Sequence, residues 1–170
     1  MSITWMKGEV PEGLEVRQVY GIIFDWYGRI LLKVESGRHN LIGGKPEKCD
    51  SSYEDTLKRE LLEEVNCTAT NLTTVGYQLV DEENGTPPYA QIRMTGIIGI
   101  VGDSKPDDDK PWCIYGRVFA EPIIVASLLG WGQVGVDQIC DASFVAHTQF
   151  GIGSSGSYCI VNEERRGVEC

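Results

Sequence analysis

Apolar and polar positions along this chain change period several times, and each change predicts an element. Val16 to Phe24 has the density of Val, Ile, Tyr and Phe expected of a strand. Asp25-Trp26-Tyr27-Gly28 reads as a turn and Arg29 to Val34 as a second strand, so the pair predicts a hairpin. Residues 1–15, with Gly8, Pro11 and Gly13, read as an irregular lead-in, and Ser36 to Lys48 reads as a loop. Tyr53 to Val65 is the clearest helix: Leu57, Leu61 and Val65 recur at every fourth position and form a buried stripe. Ser51 or Ser52 can cap it, and Glu54 and Asp55 sit in its first turn. Leu72 to Val80, Tyr89 to Val101 and Trp112 to Phe119 read as strands, separated by a turn at Asp81 to Pro88 and an acidic loop at Gly102 to Pro111. Pro122 to Gly132 predicts a short helical segment ending at Gly130, and Val136 to Phe150 a further helix. Gly151 to Cys170 reads as a flexible tail with a short edge strand at Tyr158 to Val161. The mixture is an α/β pattern, with one domain over residues 1–150 and a tail over 151–170.

Composition narrows the chemistry. A length of 170 residues suits one domain with its own core. Against 15 Lys and Arg stand 25 Asp and Glu, a net charge of −10. That sign makes nucleic acid an unlikely partner, because phosphate contacts dominate such binding. A small phosphorylated molecule stays open, given a bound cation to offset repulsion. No apolar run is long enough for a membrane span, and no signal peptide is evident at the start. The six cysteines are scattered without a C-x-x-C pair, which predicts reduced thiols and a cytoplasmic location.

The chemistry concentrates between Gly43 and Cys67, GGKPEKCDSSYEDTLKRELLEEVNC. Glu60, Glu63 and Glu64 fall within an arc of roughly 100° on the helix, flanking its apolar stripe. Three carboxylates so placed repel one another, and a divalent cation reverses that sign. Arg59 lies four residues before Glu63 and can hold it. Gly43-Gly44 allows backbone to approach a metal or phosphate closely. A lone E-x-x-E-E is most often a solvated face; the whole string changes that reading.

The string resembles the Nudix box, G-x5-E-x7-R-E-U-x-E-E-x-G-U with U apolar. Gly44 matches the leading glycine, Arg59 to Val65 the R-E-U-x-E-E-x core, and Cys67 the last apolar position. Two departures stand out. One extra residue lies between Gly44 and Arg59, so the early glutamate position falls on Asp50 or Ser51; Asp50 keeps a carboxylate. The closing glycine is Asn66, the commonest substitute at a left-handed helix end. Val16 to Tyr20, Gly43 to Glu47 and Leu128 to Gly132 resemble an uncharacterised bacterial subgroup of that family.

The resemblance implies an α/β/α sandwich with a mixed sheet. It implies Mg²⁺-dependent hydrolysis, with Mn²⁺ as a substitute, of a pyrophosphate bond in a nucleoside diphosphate linked to another moiety. It implies Glu60, Glu63, Glu64 and a Gly44 carbonyl as metal ligands. Glu60, Glu64 and Arg59 would form the catalytic group. Asp107, Asp108 and Asp109 are loop candidates for the base, and Lys45, Asp107 and Asp109 for substrate contact. Arg93 could meet phosphate, His39 could touch substrate, and Trp112, Trp131 and Tyr89 could stack on a base. Cys49 lacks a histidine beside it and is a poor nucleophile. A non-catalytic domain that senses a nucleotide or ADP-ribose is the alternative, and an acidic docking domain a third. A homodimer stays open.

Overall fold

In the computed structural model, residues 1–108 and 110–153 are described in full, together with the backbone of residues 161–163. The chain runs β1 (Ser2–Lys7), β2 (Val16–Phe24), β3 (Ile30–Glu35), β4 (Arg38–Asn40), β5 (Ile42–Gly44), α1 (Tyr53–Val65), β6 (Cys67–Asp81), β7 (Tyr89–Val101), β8 (Gly116–Ala120), α2 (Pro122–Leu129), α3 (Gly132–Phe150) and β9 (Val161–Glu163). The described strands form one mixed sheet in the order β1-β6-β7-β2-β3-β8-β9, with β4 on β3 and β5 on β2. β2 and β7 run parallel from Val16↔Ala90 to Phe24↔Ile97.

Period-two alternation sends side chains to two separate cores. Val19, Ile23 and Leu31 pack with Leu57, Leu61 and Val65 of α1. Ile22, Phe24, Ile30 and Leu32 pack on the opposite side with Val125, Leu129, Ile139 and Ala142 of α2 and α3. Helices thus cover both faces, the expected α/β/α sandwich.

Several segments differ from the sequence reading: β6 begins at Cys67, not Leu72, and α3 at Gly132, not Val136. The lead-in contains β1, paired antiparallel from Ser2↔Asp81 to Lys7↔Gly76. Its side chains are mostly exposed, and pairing with β6 together with the bonds of Trp5 and Lys7 to Asp141 of α3 holds it. The expected loop after β3 holds β4 and β5, each three residues long and too short for a period. The strand expected from Trp112 starts at Gly116, because Asp107 accepts the Lys110 N–H at 2.8 Å and Lys110 O accepts the Cys113 N–H at 2.7 Å, turning the chain. Of the expected edge strand, Val161 begins β9; Tyr158 to Ile160 lie outside the described residues. Cys49, Cys67 and Cys140 are free thiols.

Candidate active site

The helix that carries the carboxylates is fixed at both ends. Ser52 caps it, its side chain accepting the Asp55 N–H at 3.2 Å. Asn66 closes it in the left-handed region at φ 47° and ψ 48°. Between these caps α1 is unbroken, so the extra residue of the motif lies before the helix. There a turn forms in which Glu47 O accepts the Asp50 N–H at 3.1 Å and the Asp50 carboxylate accepts the Glu47 N–H at 2.9 Å.

Arg59 gathers the acidic groups. Its guanidinium donates to both Asp50 oxygens at 3.1 and 3.0 Å, to Glu60 at 2.9 Å, to Glu63 at 3.0 Å and to the Lys45 carbonyl at 3.0 Å. Asp50 is held well below the usual carboxylate range by those Arg59 bonds, and Arg59 is raised in turn, first by Asp50.

Glu60 and Glu64 turn inward toward β5. Glu60 rests directly on Gly44, where a methyl group would overlap its carboxylate. Burial raises Glu60, with Arg59 opposing. Glu64 is 7% exposed, although its position flanks the apolar stripe. It pairs with Lys33 of β3, and its other oxygen accepts the Gly43 N–H at 3.2 Å. Burial pushes Glu64 up to about 7, with the Lys33 ammonium pulling the other way.

A cavity of about 500 Å³ has Tyr20, Lys33, Arg93 and, from the α3 side, Trp131 and Val134 among its lining residues. Arg93 is 1% exposed. Its guanidinium lies 4.7 Å from the Tyr20 ring centre and 5.3 Å from that of Trp131, and Nε donates to the Gln138 side chain of α3 at 2.8 Å. Tyr20 is raised chiefly by burial, and it feels the charges of both Glu64 and Glu60.

Among solved structures, the chain is similar to the Bacillus subtilis pyrophosphohydrolase BsRppH. Identity is 17%, TM-score 0.64, and 89% of this chain and 93% of that one are covered. A Nudix hydrolase of Nitrosomonas europaea matches at 17% identity and TM-score 0.57, covering 75% of this chain and 87% of that one. MutT, studied in Aliivibrio salmonicida and Vibrio cholerae, matches at 18% identity and TM-score 0.53, covering 72% and 92%. The chain has the Nudix fold. No family model matches it, and no curated protein matches it.

The residues that would hold a metal on a Nudix fold form an all-oxygen set: Glu60, Glu63, Glu64 and the Gly44 carbonyl. Oxygen donors suit a hard divalent cation. The bare Gly44 leaves room for Glu60 against β5, which also fits. As they stand, Lys33 and Arg59 engage these carboxylates, and among the described residues no three His, Cys, Asp or Glu side chains converge as a ready metal cage.

The other sequence candidates scatter. Lys45 is exposed, and the contact it makes with Arg59 is through its carbonyl. Asp107 is buried in its own turn, and Asp108 pairs with Lys105 at 3.1 Å. Asp109 lies outside the described residues. His39 sits on β4 opposite Val34. Tyr89 stacks under Arg17 at 4.1 Å, and Trp112 is 72% exposed. The Cys49 thiol is pushed up by desolvation and by Asp50 and Glu47, which disfavours the thiolate. Sequence reasoning missed Lys33 and Tyr20. Lys33 lies two residues after Leu31, so it shares the α1-facing side of β3; that alternation was the available signal.

Proposed function

We propose that this chain is a divalent-metal-dependent Nudix pyrophosphohydrolase, with its catalytic unit in residues 1–150. Its substrate would be a nucleoside diphosphate linked to a second moiety, of nucleotide or nucleotide-sugar type. The observation that carries this reading is the register of α1. An unbroken helix sets Glu60, Glu63 and Glu64 together, and one arginine fixes two of them. Mg²⁺ or Mn²⁺ held by Glu60, Glu63, Glu64 and the Gly44 carbonyl would neutralise the diphosphate and activate the attacking water.

The chain's own residues supply the rest. Arg59 limits the rotation of Glu60 and Glu63, so their charges stay aimed at one point. Glu60 or Glu64, beside the metal, would take the proton from the attacking water. Lys33 sits where it can donate to a substrate phosphate once a metal draws Glu64 away. No described helix is long and apolar enough to cross a membrane. A cytoplasmic setting, where nucleotides abound, goes with this reading.

The test is a panel of nucleoside triphosphates, ADP-ribose, dinucleotides and nucleotide sugars, with Mg²⁺, Mn²⁺ or chelator, scored by product identity. Cleavage at a pyrophosphate bond that chelator abolishes supports the enzyme. Tight binding of a nucleotide without any product would establish the sensor instead, a reading favoured by the cationic engagement of all three carboxylates.

A further inference from the structure

Arg93 is buried and charged, and among the described residues it has no counter-charge. Nη1 donates to the Gln91 and Ile92 carbonyls at 3.3 and 3.2 Å, and Nε to Gln138, so its partners are neutral. Among the described residues Nη2 reaches the Gln91 side chain, at 3.5 Å, the loosest of the guanidinium's contacts. Tyr20 and Trp131 cover the guanidinium. Arg93 nonetheless lines the cavity. Burying a cation without an anion is costly, and neutral acceptors with aromatic rings recover only part of that cost. Glu35, the carboxylate on the lining, is paired with Lys110 at 3.6 Å. The amides of Gln78, Gln91 and Asn40 line the same space and add further donors.

We propose that Arg93 is the specificity-determining residue of this cavity and selects substrates whose distal moiety carries an oxyanion, a carboxylate or a phosphate. This rests on the hydrolase reading for its orientation. Lys33 borders the cavity and holds Glu64, so a diphosphate at the α1 carboxylates would send its second moiety toward Arg93. An oxyanion there completes the charge that the fold leaves open, and a guanidinium edge is the natural partner for it.

The experiment is calorimetric titration with chelator present, so that hydrolysis plays no part. Two matched pairs differ in a single oxyanion: UDP-glucose against UDP-glucuronate for a carboxylate, and NAD against NADP for a phosphate. The oxyanion member of at least one pair is expected to bind the wild type about tenfold to a hundredfold more tightly, as a charged hydrogen bond confers. Arg93→Met should erase that ratio, and Arg93→Lys should restore part of it. Equal binding within both pairs by the wild type overturns the proposal, whether or not the variants fold. So does selectivity that survives in Arg93→Met. Hydrolysis without pair selectivity would refute the Arg93 role alone. Pair selectivity without hydrolysis under any metal would refute the enzyme reading alone.

Discussion

Arg59 and Asp50 are joined by two hydrogen bonds, Nε to Oδ1 at 3.1 Å and Nη2 to Oδ2 at 3.0 Å. This fork resolves where the motif's extra residue went. Asp50, not Ser51, faces the helix, and the loop before α1 absorbs the surplus. Asp50→Ala should lower stability by about 1–2 kcal/mol, the smaller value holding at high salt because the pair lies near the surface. It should also lower turnover about tenfold, since Arg59 loses its main anchor while holding Glu60 and Glu63. Ser51→Ala should change neither. Thermal melts and initial rates of both variants decide the matter; a silent Asp50→Ala would overturn the anchoring role.

Gly44 and Gly43 should respond differently to a methyl group. At Gly44 the three atoms nearest to such a methyl all belong to the Glu60 carboxylate, the far end of a flexible side chain. Gly44→Ala should therefore fold with little change in melting temperature, yet weaken metal affinity and activity tenfold or more. Gly43 has φ 149°, and its methyl would meet the backbone of Val19 and Tyr20. Gly43→Ala should cost several times more stability. If Gly44→Ala keeps full activity, Glu60 is not where the chemistry needs it.

Glu64 links stability to pH in metal-free protein. Its folded-state value is about 7, against an ordinary 4.5. Between those values the folded chain holds a proton that the unfolded chain releases. The contribution is thus fully present below about 4.5 and lost as pH rises through 7. In chelator, stability should fall by on the order of 1–3 kcal/mol from this group between acid and neutral pH. Glu64→Gln should remove that part of the slope and reduce turnover about a hundredfold or more. Denaturant melts across the pH range test the first; superimposable slopes for the two proteins would contradict it.

Asn66 does more than tolerate a left-handed conformation. Its side chain donates to the Asp103 carbonyl at 2.8 Å, and its carbonyl accepts the Gly102 N–H at 2.9 Å. Asn66→Gly should gain backbone ease but lose the side-chain bond, leaving stability within about 1 kcal/mol of the wild type. Asn66→Val should cost about 2 kcal/mol, because a β-branched residue resists positive φ and the bond goes too. Equal melting temperatures for the two would exclude the capping role.

The chain's local signals were legible where one element dictates its own form. α1 announces itself through Leu57, Leu61 and Val65, a Ser cap and an Asn stop. The bounds of β2 and β7 follow from dense apolar runs. β1, β4 and β5 were not legible, because each is held through other elements. The site divides in the same way. Glu60, Glu63 and Glu64 share one helix, and their spacing is local information. Lys33 reaches Glu64 across 31 residues, and Arg93 reaches Gln138 across 45. Such pairings depend on strand register, which the sequence alone does not specify. Arg93 reads as a surface charge or phosphate contact until β7 places it under α3.

The sheet divides the molecule's labour. α1 and its carboxylates rest on one face, the Arg93 cavity on the other, and Lys33 touches both. On the proposed reading, substitutions in α2, α3 or the β7 face beneath them would redirect which molecule is held without disturbing how it is cut. A lineage built on this arrangement can change its diet through one half of the protein while the other half stands still.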